Sequence, residues 1–169
     1  MPKFKPLPSF ERVQELLSYD SETGNLYWKQ SVTRWIKPGD KAGSRSRHAV
    51  DVTVDKKSYR AHRIIWLLKT ASDPGDNLID HIDGNPFNNK FANLRLATHR
   101  QNQCNQRRRS DNTSGLKGVH WNKERRKWVA QISKNGKIIP LGRYATKEEA
   151  HAAYCQAVYK FNGEFARLE

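Results

Sequence analysis

Residues 80–102, DHIDGNPFNNKFANLRLATHRQN, crowd aspartate, histidine and asparagine between two apolar runs, although asparagine is a poor helix and strand former. Asp83-Gly84-Asn85 and Asn88-Asn89 are ordinary turn chemistry, because Asn and Gly tolerate left-handed backbone. Asp80, His81, Asn93 and Asn102 are not accounted for in that way. A carboxylate at 80 and an amide at 102 both offer oxygen. Two hard oxygen donors, completed by water, suit Mg²⁺ (or Mn²⁺) and not zinc. A histidine beside such a cation can act as a general base, since its ordinary pKa lies near working pH. The cation would stabilise charge developing on a phosphate and on a leaving oxygen.

Those side chains need a particular scaffold. Asp80 and His81 follow Leu78-Ile79 at the end of a strand, and Asn93 precedes a second short strand, Leu94-Arg95-Leu96. Thr98 can cap the next helix, which puts Asn102 about one turn inside it and carries a polar helix to about Arg108. The unit reads strand, long loop, strand, helix. Neighbouring side chains of a regular strand point to opposite faces, so the first strand must end or distort at Asp80-His81.

Upstream, Ser9 can cap a short helix with Phe10, Val13, Leu16 and Leu17 on one face. SETGNLYWK reads as a turn entering a strand, with Gly24-Asn25 supplying positive φ. Val50, Val52 and Val54 alternate, Asp55-Lys56-Lys57 turns the chain, and residues 58–61 pair back. AHRIIWLLKT is a short apolar helix stopped by SDPGD. His62 at its start reads as packed or hydrogen-bonded and His99 as surface, while Arg63 is either a phosphate clamp or a salt-bridge partner. Residues 109–116, RSDNTSGL, read as a linker.

Beyond the linker, VHW, KWVAQIS and KIIPLGRY are three strand candidates, the last two joined by Asn135-Gly136. Thr146 and Glu149 form a capping box, and Gly163 stops the helix. Between them Ala150, Ala153, Tyr154, Ala157, Val158 and Phe161 make one apolar face, which would pack on the sheet.

Charge narrows the partner. The chain carries 31 Lys/Arg against 17 Asp/Glu, a net +14, which favours polyanions and nucleic acid first among them. The excess is concentrated at 100–137, with Arg107-Arg108-Arg109 and KERRK interleaved with Trp121 and Trp128. The 36% apolar content argues against wholesale disorder. No segment approaches ~18 uninterrupted apolar residues, so no transmembrane helix is expected and no membrane partner. MPKFKPLPSF lacks the apolar core of a signal peptide. Cys104 and Cys155 are too few and too far apart for a zinc knuckle or a disulfide framework, as in a soluble protein of a reducing cytoplasm.

The pattern D-H-x-D-G-N-x-x-N-N-x-x-x-N-L-R-x-x-T-x-x-x-N resembles the active-site unit of HNH endonucleases, the ββα-metal fold, in their phage and intron-encoded homing branch. The AHR at 61–63 is similar to the lead-in common in these enzymes. The resemblance implies that Asp80 and Asn102 bind the metal, that His81 activates water and that Asn93 braces the loop carrying His81. The final position is Asn102 and not the histidine of the family name, so imidazole ligation is excluded there. It also implies a phage-encoded cytoplasmic protein that hydrolyses phosphodiesters in duplex DNA, leaving 5′-phosphate and 3′-hydroxyl.

KGVHW, KWVAQI, LGRY and EEAHAAY resemble the plant ethylene-response-factor (Apetala-type) DNA-binding domain, three antiparallel strands laid in the major groove with a helix behind. Carried over by position, Lys117, His120, Gln131 and Ser133 fall on the DNA-facing side, with Trp121, Lys123, Arg125 and Lys127 close by. Several of that family's arginines are Lys, His or Ser here, which weakens bidentate guanine contacts, so the target sequence does not transfer. Trp128 and Leu141-Gly142 read as structural. Arg107, Arg108, Arg109 and Arg63 add candidate phosphate contacts, and Arg45 and Arg47 are further candidates beside a plain solvated loop.

The expectation is an α+β protein: a ββα-metal nuclease unit at about 61–108 within an N-terminal region 1–108, a linker at 109–116, and a three-stranded antiparallel sheet packed on one helix at 117–169. A monomer with one active site nicks; a double-strand break needs a dimer or sequential cuts. Two alternatives stand beside the nuclease, a non-catalytic DNA-binding regulator and a basic RNA-binding protein.

Overall fold

The computed structural model describes residues 4–98, 101–102, 111–134, 136–166 and 168. It is α+β, divided into two compact units, Met1–His99 and Arg100–Glu169.

In the first unit the Ser9 hydroxyl accepts the Arg12 N–H at 3.2 Å and starts helix α1, Phe10–Leu16. Strands β1 (Leu17–Asp20), β2 (Asn25–Trp28) and β3 (Lys41–Ala42) form one antiparallel sheet in that order. At the β1–β2 turn only Gly24 has positive φ (74°); Asn25 already pairs with Asp20 as a strand residue. Strands β4 (Ser44–Arg45), β5 (Val50–Val54) and β6 (Lys57–Arg60) form a second antiparallel sheet. Helix α2, Ala61–Thr70, follows directly and ends at Ala71 in left-handed backbone. Val13, Leu17, Val52, Val54, Ile64 and Ile65 are almost wholly buried in a shared core. Each such side chain contributes about 1.5–3 kcal/mol by leaving water. Onto this base is set a two-stranded antiparallel ribbon, β7 (Leu78–His81) and β8 (Leu94–Ala97), joined through a long loop and a 3-10 turn, Phe91–Asn93. Ile79 and Leu94 anchor it in the core.

In the second unit β9 (Val119–Asn122), β10 (Lys127–Lys134) and β11 (Lys137–Tyr144) form an antiparallel sheet with β10 in the centre. Helix α3, Lys147–Asn162, begins with the expected Thr146–Glu149 capping box and ends at Gly163. Ala150, Tyr154 and Val158 of α3 meet Val119, Ala130 and Ile132 of the sheet. Residues 112–116, read above as linker, form a hydrogen-bonded turn. There the buried Ser114 hydroxyl donates to the Val119 carbonyl at 2.7 Å, and Asn112 accepts the Gly115 N–H. Asn135, of the expected hairpin, lies outside the described residues.

Candidate active site and nucleic-acid interface

The β7–β8 register decides which side chains meet. Asp80 pairs with Arg95 and His81 with Leu94, so the pleat puts Asp80 and Arg95 on one face and His81 on the other. The strand stays regular through both residues and ends at His81, whose carbonyl accepts the Gly84 N–H at 2.8 Å as the loop turns away. Asp80 is 5% exposed, and its Oδ2 accepts a hydrogen bond from Arg95 Nε at 2.9 Å and forms an ion pair with a second guanidinium nitrogen, also at 2.9 Å. A carboxylate buried this far needs a countercharge, and Arg95 supplies one.

His81 is also buried, with its Nε2 2.9 Å from Oδ1 of Asn89, itself 3% exposed. An amide oxygen only accepts, so Nε2 donates, and in its neutral form the ring has its lone pair on Nδ1. The His62 ring stands edge-on to the His81 ring, with centroids 5.2 Å apart. Burial above all, and then the charges of His81, Arg63 and Arg60, push His62 down to about 3. It is a neutral wall behind His81, in keeping with the packed reading, and its Nδ1 has no hydrogen-bond partner among the described residues.

Asn93 and Asp83 hold the loop in shape. The Asn93 amide oxygen accepts the Asp83 N–H at 3.0 Å, and its Nδ2 donates to Asp83 Oδ1 at 3.0 Å and to the Asn88 carbonyl at 2.8 Å. Its own carbonyl accepts the Ile82 N–H. Asp83 also accepts from the Asn85 N–H and the Asn88 amide. Desolvation pushes the Asp83 carboxyl up, but these donors and the charge of His81 outweigh it and hold the group below the usual carboxylate range.

Three neighbouring elements back the loop. On α2, Trp66 packs on Phe91 one helical turn beyond His62. From the β1–β2 hairpin, the Tyr19 hydroxyl donates to the Asn89 carbonyl at 3.3 Å and accepts the Phe91 N–H at 2.7 Å. Gly24 in the turn comes so close that a Cβ there would lie 2.6 Å from Lys90 N. From β4, the exposed Arg45 guanidinium sits 4.2 Å over the Phe87 ring, which ties a loop candidate to the site.

The remaining candidates have their own local settings. Arg63 is 4% exposed and donates to the carbonyls of Asn77 (3.0 Å) and Gly75 (2.7 Å), with Asp73 at 3.4 Å, which matches the salt-bridge alternative. Asn102 is half-buried in a helical pair with Gln101 at the head of the second unit. His99 and the run Arg107, Arg108, Arg109 lie outside the described residues. Among the described residues no three His, Cys, Asp or Glu side chains are grouped as for a metal ion. A site of one carboxylate and one amide oxygen, completed by water, needs no such group.

On the sheet of the second unit, His120 pairs with Val129, and Gln131 and Ser133 continue that outward row beyond it. Arg143 pairs with Val129 from the other side, so an exposed arginine stands in the row that sequence reading left without one. Only knowing that β11 carries one extra residue opposite Ala130-Gln131 reveals its face. Trp121 is 42% exposed but shares the helix-side row with Trp128, the rings 5.1 Å apart. Lys123, Arg125 and Lys127 are exposed in and beside the β9–β10 turn, and Lys117 is half-buried before β9.

A buried Asp-His pair on a ββ ribbon, braced by asparagines, and a basic sheet backed by one helix define a recognisable pair of domains. Residues 59–104 match the HNH endonuclease family and residues 114–164 the AP2 domain, in that order. The chain therefore carries an HNH endonuclease domain followed by an AP2 domain. It is similar to protein 3.8 of Escherichia phage T7, 43% identical over 110 residues that cover 59% of this chain and 91% of that protein. It is also similar to an uncharacterized HNH endonuclease of Acanthamoeba polyphaga mimivirus, 34% identical over 116 residues. That match covers 68% of this chain and 59% of the mimivirus protein. Among the described residues no helix is long and apolar enough to cross a membrane.

Proposed function

We propose that the protein is a homing-type endonuclease that hydrolyses phosphodiester bonds in duplex DNA with one divalent cation, Mg²⁺ (or Mn²⁺). Asp80 and Asn102 would hold the cation through a carboxylate and an amide oxygen. When bound, it neutralises charge growing on the scissile phosphate and on the leaving 3′ oxygen. His81 is the general base: it takes a proton from the attacking water at Nδ1. Asn93 keeps the loop closed around it, and the reaction leaves 5′-phosphate and 3′-hydroxyl ends. A monomer cuts one strand.

The observation that carries this reading is the hydrogen bond from His81 Nε2 to Asn89 Oδ1, because it fixes both the ring and the tautomer a general base requires. In the resting protein Arg95 balances the Asp80 charge. The outward row His120, Gln131 and Ser133, with Lys117, Lys123, Arg125, Lys127 and the Arg107 to Arg109 run, supplies phosphate affinity and register. Arg45 contributes a charge beside the catalytic loop.

Supercoiled plasmid incubated with the protein tests the reaction. Wild type converts it to nicked circles with Mg²⁺ and leaves it intact with EDTA. His81→Ala keeps its DNA affinity and loses on the order of 10²–10⁴ in rate. Retardation of the plasmid without nicking, in Mg²⁺ and Mn²⁺ alike, would establish a regulator instead. Tighter binding of structured RNA than of duplex DNA at matched salt would point to the RNA-binding alternative.

A further inference from the structure

The largest exposed aromatic surface belongs to neither site described so far. Trp35 is 75% exposed at the tip of the β2–β3 connection, residues 29–40, with Val32 beside it 37% exposed. Hairpin connections usually need two to five residues. This one is far longer and is nonetheless tied down. Trp28 N–H donates to the Asp40 carbonyl (2.9 Å) and Gly39 N–H to the Trp28 carbonyl (2.7 Å) at its base. Lys37 N–H donates to the Asp40 carboxylate at 2.7 Å, and Ile36 N–H to the Thr33 carbonyl at 3.2 Å nearer the tip. Ile36 packs against the core. The backbone turns one apolar side chain inward and holds its neighbour, Trp35, out in solvent.

Its setting says what it is for. The Arg34 guanidinium lies 4.5 Å over the Trp35 ring, and Lys37 and Lys41 are exposed close by in sequence. From 29 to 47 there are six Lys/Arg and a single acid, Asp40, whose carboxylate already takes the Lys37 N–H. Among the described residues Arg34, Lys37 and Lys41 enter no ion pair. Cations around an exposed aromatic match a nucleotide chain, in which each base offers a π face and each linkage a negative charge. The loop leaves the end of β2 opposite the Gly24 turn that supports Asn89. Along β2 it therefore lies at the other end from the turn that backs the His81 loop.

We propose that the 29–40 loop is a separate duplex-DNA contact of the nuclease unit, in which the Trp35 ring wedges into a base step and stacks on the base it partly unstacks, while Arg34, Lys37 and Lys41 neutralise the flanking phosphates. This rests on the reading of the protein as one that acts on duplex DNA. The contact splits into two parts that respond differently to salt: the stacked ring releases no counterions, whereas each lysine or arginine on a phosphate does.

The test is binding of the full-length protein to a labelled random-sequence duplex in EDTA across a salt series, beside plasmid nicking in Mg²⁺. Trp35→Ala binds about tenfold more weakly with an unchanged slope of log affinity against log salt, while Trp35→Phe stays within about twofold of wild type. Arg34→Ala or Lys37→Ala flattens that slope by about one. Tyr159→Ala, which removes an aromatic 60% exposed on α3, binds as wild type does. Equal affinity of Trp35→Ala and wild type would overturn the proposal, as would an equal loss in the Phe and Ala variants. If wild type leaves the plasmid supercoiled but Trp35→Ala still loses affinity, the nuclease reading falls and this contact stands. If wild type nicks and Trp35→Ala binds unchanged, the reverse holds.

Discussion

The imidazole of His81 is held by an amide that looks, in the sequence, like any turn asparagine. Asn89 is 3% exposed, so replacing it strands a buried ring nitrogen as well as freeing the ring. Asn89→Ala is expected to cut the single-turnover nicking rate by roughly 10–100-fold while DNA affinity holds. An unchanged rate at saturating DNA would remove Asn89 from the site. Asp83 makes a second residue-scale prediction. Its carboxyl titrates lower in the folded protein than in the unfolded chain. The stability it lends the loop is therefore complete above the ordinary carboxylate pKa of about 4 and is lost as pH falls through the lowered folded value. Amide exchange at Asn85, whose N–H bonds Asp83, should speed up in that acid range, and in Asp83→Asn the acid dependence should disappear.

At the scale of elements, the loop between β7 and β8 is supported by chain some seventy positions upstream. Tyr19 bridges the Asn89 carbonyl and the Phe91 N–H, and Gly24 lets the hairpin turn lie against Asn89 and Lys90. Tyr19→Phe should cost about 1 kcal/mol in urea unfolding and slow nicking with it. Gly24→Ala combines positive φ with a methyl driven into backbone and should cost about 2–4 kcal/mol. A Gly24→Ala protein as stable and active as wild type would show that the hairpin does not support the loop. Helix α1, the β5–β6 hairpin, α2 and the capped α3 were readable from periodicity, caps and turns, since each signal is local. The support from β1–β2 was not, because no short-range pattern says which sheet end will meet which loop.

For the whole molecule, the net charge of +14 sets the ionic-strength dependence. Affinity for duplex DNA should fall about a thousandfold between roughly 50 and 200 mM salt, and His81→Ala should follow the same slope. A shallow slope in titrations by fluorescence anisotropy would mean that few phosphates are contacted and that the basic stretches are merely solvated. The charge was plain from composition, and so was its concentration toward the second domain. Which arginines are available to DNA was not. Arg63 is committed to the carbonyls of residues 75 and 77, while Arg143 turned up on the outward row of the sheet through a one-residue irregularity in β11.

The sequence by itself determined the two domains, the α+β class and the D-H…N…N pattern, because residue type, spacing and turn chemistry act over a few positions. It also carried the preference for a polyanionic partner, since net charge does not depend on folding. Only the tertiary structure decided that Asp80 faces Arg95, that Asn89 orients His81 and that Trp35 stands clear of the core. Each of those follows from strand register or from contact between distant segments, and neither is written in any local stretch of chain.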